Sequence, residues 1–493
     1  FIGFGGNWGF GESNLNYRER EYDIAVAYHA DMNFTMIRNW VGQIGDKEFY
    51  EACDRHGIMV WQDFWLANPV DGPNPYYTEM FNANACDYLK RIRNHPSIGI
   101  YVGRNEGNPP AGIDDYLRGL VFREHPGLYY ISNSAMGVVS GGGPYRALSP
   151  KSYFQSYGHD KFHSERGMPN VMNYESMLLT FGTDKIEPVN TSETPNPVYG
   201  LHDYTLGGGK GSSAQAASSF NDMIEKAFGR PRDAKQFAEW AQWINYDGYR
   251  AIFEGRSEHR RGMLLWMSHS AWPSMVWQTY DYYFDPNAAY FGCKKASEPL
   301  HIQWNPLRDD IEVVNYHAFD RTGLTATASL FNQDGTLQWT RETKLDIKED
   351  QTVACFPLEQ PETLSDTYFI KLSLTDSDGK QLSDNFYWRG KEDGNYKSLL
   401  QLPKVSVCKN VTVKKTGKEW LIRAVLKNEA RTPALMLRLK VAGEKSGRML
   451  LPVFYSDNYF SLLPGEVKEV DIRLYDADTY GEKPVLEVLG FNL

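Results

Sequence analysis

Through the first 300 residues, short apolar runs recur between stretches whose apolar positions repeat every three to four residues. The runs are FIGFGGNW (1–8), FTMIRNW (34–40), IMVWQDF (58–64), IGIYVGRNE (98–106), LYYISNS (128–134), a looser one near 152–155, KFHSE (161–165) and GMLLWMS (262–268). Their length and their flanking Gly, Asn and Pro residues predict strands. The stretches between them, such as DKEFYEACDRHG (46–57) and TEMFNANACDYLKRIRNH (78–95), have the helical period, and Gly57 is a helix stop. A chain that alternates strand and helix eight times builds a parallel sheet. Within about 300 residues it fits a (β/α)8 barrel better than an open doubly wound sheet.

From about His301 the helical period disappears. LTATASLFNQDGTLQWT and FIKLSLTDSDGKQLSDNFYW alternate apolar and polar residues around Asp334-Gly335 and Asp378-Gly379, the signature of hairpins. After about residue 398 come VTVKKTGKEWLIRAVL and FSLLPGEVKEVDIRL. Each all-β segment has the size of an immunoglobulin-like sandwich. The predicted organisation is a barrel over 1–300, a β-sandwich over 301–398 and a second over 399–493. Phe1 falls in what reads as mid-strand, so the sequence is expected to be a piece of a longer chain.

Charge and composition narrow the chemistry. The net charge of -10, with no clustered Lys and Arg, argues against a nucleic-acid partner. No run approaches the roughly 18 apolar residues of a membrane span. Aromatic residues make up 14% of the chain, including 13 Trp and 31 Tyr, a surplus that suits stacking on sugar rings and equally suits large cores. Five widely spaced cysteines, with no Cys/His cluster, indicate neither a disulfide framework nor a metal site. The GGGKGSS stretch (207–213) lacks phosphate-loop spacing, and no cofactor is implied.

In a (β/α)8 barrel the active site is built at the C-terminal ends of the strands, where Glu106 and Glu165 fall. Most strand-end carboxylates are merely solvated. Two in one barrel suggest glycoside hydrolysis, in which one protonates the leaving oxygen and the other attacks the anomeric carbon or activates water. Asn105, beside the first, is placed to hold the sugar's 2-substituent. Trp40 is expected at the mouth, and Trp272 is a candidate close behind Trp266 at the end of the last strand. Asp63 and Trp65 follow the third strand, with Asp63 a candidate for a sugar hydroxyl, and His202, Asp203 and Tyr204 lie on a Gly-rich loop of the kind that carries binding residues.

GRNEG (103–107), HSERG (163–167) and LLWMSHSAWPSMVWQTYDYYFDPNAAYFGCKKASEPLH (264–301) resemble the retaining β-glycosidases of glycoside hydrolase family 2, in the branch of exo-β-D-glucosaminidases and β-mannosidases. The resemblance covers the whole chain. It implies a catalytic (β/α)8 barrel followed by sandwiches, and upstream domains absent from this sequence. It also implies Glu106 as acid/base, Glu165 as nucleophile, Arg38 as the nucleophile's hydrogen-bond partner and Trp266 as the platform under the sugar. A retaining pair is expected about 5–5.5 Å apart.

The exo-glucosaminidases tend to carry Asp at the acid/base position and a further acidic residue beside the second strand. Here those places read Glu106 and Trp40, nearer the β-mannosidase pattern. The expected function is therefore an exo-acting, retaining β-glycosidase acting on oligosaccharides or glycoconjugates. It is taken as exo-β-D-glucosaminidase-like, with a β-mannosidase or β-galactosidase as alternative and a non-catalytic carbohydrate-binding protein as the reading from another class. Asp63 or Asp203 is the candidate partner for a substrate ammonium. A polysaccharide-degrading role favours a periplasmic or extracellular setting.

Overall fold

A computed structural model describes residues 2–9, 17–156, 161–206, 217–258, 261–270 and 272–493. Its first part is a curled sheet of eight strands: β1 (Phe4–Trp8), β2 (Met36–Asn39), β3 (Met59–Asp63), β4 (Ile98–Arg104), β5 (Tyr129–Asn133), β6 (Val139–Ser140), β7 (Phe162–Arg166) and β8 (Met263–Leu265). Their order is β5-β4-β3-β2-β1-β8-β7-β6 and every paired neighbour is parallel. The two ends of that order, β5 and β6, are consecutive in the chain. Ser164 of β7 spans the seam, its hydroxyl donating to Ser134 O (2.6 Å) and Ser140 O (3.1 Å). Met36, Trp61, Val102, Val139 and Leu264 are buried together inside the sheet. The barrel is thus a packed core rather than a channel.

The helices follow the expected logic. α1 spans Glu19–Asp31, α2 Lys47–His56, α3 Thr78–Ile92 and α4 Ala111–Glu124. α2 buries Phe49, Tyr50, Ala52 and Cys53 as one stripe and stops where Gly57 adopts a left-handed φ of 70°, its amide donating to Cys53 O. One expectation fails. Residues 152–155 belong to a helix, α5 (Pro150–Gln155), capped by the Ser149 hydroxyl with Pro150 in its first turn. The sixth strand is instead Val139–Ser140, too short to show any periodicity.

Beyond the barrel, strands from Leu300–Asn305 to Gln381–Gly390 form a three-stranded and a four-stranded sheet over a core of Ile302, Ile311, Leu330, Ile370 and Leu372. Strands from Val407–Thr416 to Pro484–Leu489 form a second such pair. The second pair shares one apolar core with the barrel helices. Tyr28 meets Phe454 edge-on (4.9 Å between centroids), and Trp243 meets Phe491 (5.0 Å). Pairs of this geometry add about 0.5–1.5 kcal/mol each beyond area burial.

Candidate active site

Arg38, at the end of β2 and fully buried, organises the C-terminal face of the barrel. Nη1 donates to Glu165 Oε1 (2.7 Å) and to Asn7 Oδ1 (3.1 Å). Nη2 donates to Asp63 Oδ2 (2.7 Å) and Asn105 Oδ1 (2.8 Å), and Nε also donates to Asp63 Oδ2 (3.0 Å). Burial by itself would lower the guanidinium pKa. Asp63 and Glu165 outweigh it, so the arginine is held charged above its ordinary value. Residues from β1, β3 and β7, and the residue that follows β4, therefore meet on the one cation of β2.

Glu165 lies within β7 and is 3% exposed. Its second oxygen accepts from the Tyr145 hydroxyl (2.5 Å), and Tyr145 is faced edge-on by Trp277 (5.9 Å). Burial, with the Glu165 charge behind it, keeps that phenol protonated far above its ordinary range. Glu106 follows β4 with a φ of 47°, left-handed backbone that turns its side chain off the strand direction. The strain, on the order of 1–3 kcal/mol, is supported by the Glu106 N–H, which donates to Ser134 Oγ (3.0 Å). Half-buried, the Glu106 carboxyl is raised above the usual carboxylate range, first by loss of water and then by the Glu165 charge, while Arg38 and the Gly142 N–H oppose the rise.

Three site residues escaped the sequence reading. Asn7 donates from Nδ2 to Ser164 O and Leu265 O (2.9 Å each), tying β1 to β7 and β8 while its oxygen steers Arg38. A polar Asn at the end of an apolar strand was its only signal. Ser134 holds the Glu106 amide and also donates to Asn105 Oδ1 (3.3 Å). Tyr145 lies on an aperiodic loop and carried no signal.

Two candidates are corrected. Asp63 is fully buried and its oxygens are occupied by Arg38, the Val41 N–H (3.0 Å) and Trp61 Nε1 (2.7 Å), so it supports Arg38 instead of facing a sugar hydroxyl or an ammonium. Tyr204 is fully buried with its hydroxyl on Asn221 Oδ1 (2.7 Å), a packing role. Trp40 and Trp266 meet edge-on (4.9 Å), and both are partly accessible. His202 stacks on Trp272 (5.8 Å), and Trp272, 39% exposed, donates to Asp203 Oδ2 (3.1 Å). Burial raises the Asp203 carboxyl against the opposing pull of Trp272 and His202. Trp65 is 38% exposed. The GGGKGSS stretch lies outside the described residues. Among the described residues there is no group of three or more His, Cys, Asp or Glu side chains able to hold a metal, and no helix long and apolar enough to cross a membrane.

The model of the exo-β-D-glucosaminidase Ig-fold domain matches residues 385–493. The mannosylglycoprotein endo-β-mannosidase of Lilium longiflorum is 26% identical over 99% of this chain and 62% of its own length. The exo-β-D-glucosaminidase of Streptomyces avermitilis is 27% identical over 99% of this chain and 58% of its own. The chain thus spans about three-fifths of these relatives. Among solved structures, the exo-chitosanase of Amycolatopsis orientalis superposes with a TM-score of 0.88 at 24% identity, covering all of this chain and 63% of the other. A β-D-mannosidase from Dictyoglomus thermophilum gives 0.77 at 20%, covering all of this chain and 60% of the other. The chain is therefore related over its whole length to the exo-β-D-glucosaminidase and β-mannosidase branch of glycoside hydrolase family 2.

Proposed function

We propose that this chain carries the catalytic barrel of a retaining, exo-acting β-glycosidase, exo-β-D-glucosaminidase-like in its substrate. The observation that carries the reading is the asymmetry of the two carboxylates: Glu165 is held by Arg38 (2.7 Å), while Glu106 stands in a half-buried position that favours its protonated form. In the first step Glu165 forms a bond to the anomeric carbon as the glycosidic C–O bond breaks, and the Glu106 proton passes to the leaving oxygen. In the second, Glu106 takes a proton from water, whose oxygen displaces Glu165 and restores both groups. Arg38 keeps the nucleophile ionised and aimed, and Asn105, fixed by Arg38 and Ser134, is set beside the sugar's 2-position. Trp266 and Trp40 supply apolar faces for the ring.

The similarity to exo-β-D-glucosaminidases favours glucosamine, and Asp203 is the remaining candidate for the ammonium. A β-mannosidase is the second reading, favoured by Glu at position 106, by the Arg-Asn-Trp sequence at 38–40 and by the similarity to the lily mannosidase. A panel of 4-nitrophenyl β-glycosides, run beside calorimetric binding of the same sugars, tests both. Release of nitrophenol from the glucosaminide supports the first reading, and from the mannoside the second. Binding with no turnover of any glycoside would show a carbohydrate-binding protein instead.

A further inference from the structure

The loop between β3 and α3, residues 64–77, runs along the end of the strand that delivers Glu106. The Asn105 N–H donates to Leu66 O (2.9 Å). Arg104, 2% exposed, reaches across the loop, donating from Nε to Ala67 O (2.7 Å), from Nη1 to Asn74 Oδ1 (2.6 Å) and from Nη2 to Gly72 O (3.2 Å). Gly107 lies so close to Pro69 that a Cβ there would fall 2.9 Å from its Cδ. Each contact falls on a residue within two positions of Glu106. Asp71 stands at the exposed crest of this loop, its amide and that of Val70 both donating to Asn68 Oδ1 (2.9 Å each) and its carboxylate accepting from Asn68 Nδ2. Its charge is felt at Glu106, where it helps to raise the carboxyl pKa.

The acid of a glycosidase stands beside the leaving oxygen, so a wall that borders it meets the departing residue. We propose that the 64–77 loop forms the leaving-group side of the site and that Asp71 is a specificity-determining residue favouring a cationic leaving group, such as the protonated amino sugar next along a chain. Arg104 is the positioning residue that keeps the loop against β4. The inference rests on the reading of Glu106 as the catalytic acid. Because Asp71 is exposed, its attraction for an ammonium is modest and sensitive to salt.

The test uses the purified protein and the non-reducing sugar that the nitrophenyl panel selects, coupled to 4-(aminomethyl)phenol or to 4-(hydroxymethyl)phenol. The ratio of kcat/KM for the cationic over the neutral glycoside is read for the native protein and for Asp71→Asn. Any effect of Asp71 on the proton affinity of Glu106 acts on both glycosides and cancels in the ratio. The ratio is expected to fall about fivefold in Asp71→Asn, the size of an exposed ion pair, and to fall likewise in the native protein as salt rises to about 0.5 M. Arg104→Lys, which keeps the charge but not the fork, should lose the same discrimination. An unchanged ratio in Asp71→Asn, an exposed position where folding is not at risk, overturns the proposal and leaves the glycosidase reading standing. Absence of turnover with every sugar and both leaving groups overturns the two together.

Discussion

At the scale of single residues, Glu106 and Glu165 differ by their surroundings and not by their chemistry. Glu165 accepts from Arg38 and Tyr145, whereas Glu106 sits in left-handed backbone with burial and a neighbouring charge against its ionised form. Glu165→Gln is expected to abolish turnover, because no covalent intermediate can form. Glu106→Ala should cost about 10²–10⁴ in rate on poor leaving groups and far less on 2,4-dinitrophenyl glycosides. Added azide should restore activity as the β-glycosyl azide, identified by NMR, and an α-configured product would refute the retaining assignment. Asn7→Ala strips donors from Ser164 O and Leu265 O and an acceptor from Arg38. A loss of about 1–3 kcal/mol in denaturant unfolding is expected, with kcat falling while KM holds. Unchanged kcat would remove Asn7 from the positioning of Arg38.

At the scale of elements, close backbone approach decides where the strand ends point. Gly5 packs against β2 so tightly that a Cβ would lie 1.6 Å from Met36 O, and at Gly167 it would lie 2.1 Å from Trp266 O. Neither neighbour is a side-chain tip that can swing away. Gly5→Ala should therefore destabilise by about 3 kcal/mol or more, read as a lower urea midpoint. Gly167→Ala, which presses on the β8 end bearing Trp266, should raise KM for the sugar more than it lowers the midpoint. The elements most legible in sequence were those with long patterns. β4 and α2 carry enough alternating or helical positions to declare themselves, and Gly57 ends α2 as its residue type demands. The two residues of β6 carry no period, and the apolar Tyr153 and Phe154 of α5 imitate a strand because six residues span fewer than two turns.

At the scale of the whole molecule, the first sandwich is joined to the barrel through buried charge. His301 is bonded at Nε2 to Glu254 Oε1 (3.0 Å) and at Nδ1 to Glu298 Oε2 (3.0 Å), and Asn385 Nδ2 and the Tyr387 hydroxyl also donate to Glu254 Oε1 (2.8 and 2.9 Å). Burial opposes the imidazolium, but the two carboxylates raise the His301 pKa above its ordinary value of 6.5. A raised folded-state value means that the stabilisation is fully present below about pH 6.5 and is lost as pH rises through the folded pKa. His301→Gln should thus lower Tm markedly at pH 6 and much less at pH 9. An equal loss at both would show that the ring acts by packing alone.

The chain's own order of residues determined the alternation of strands and helices, the change to hairpins after His301 and the two carboxylates at strand ends, because period, turn chemistry and strand termini are local properties. It also carried Arg38, which ends an apolar run as Glu106 does. The tertiary structure decided what each polar group does. Asp63 reads in sequence like any strand-end acid facing a pocket, yet the fold spends both its oxygens on Arg38, Trp61 and a backbone amide. Tyr204 reads as a loop residue and is buried. Asn7 meets Arg38 across 31 positions of sequence, and Tyr145 meets Glu165 across 20. A hydrogen bond between strand ends depends on which strands become neighbours, and that is settled when the barrel closes, not by the residues on either side of the donor.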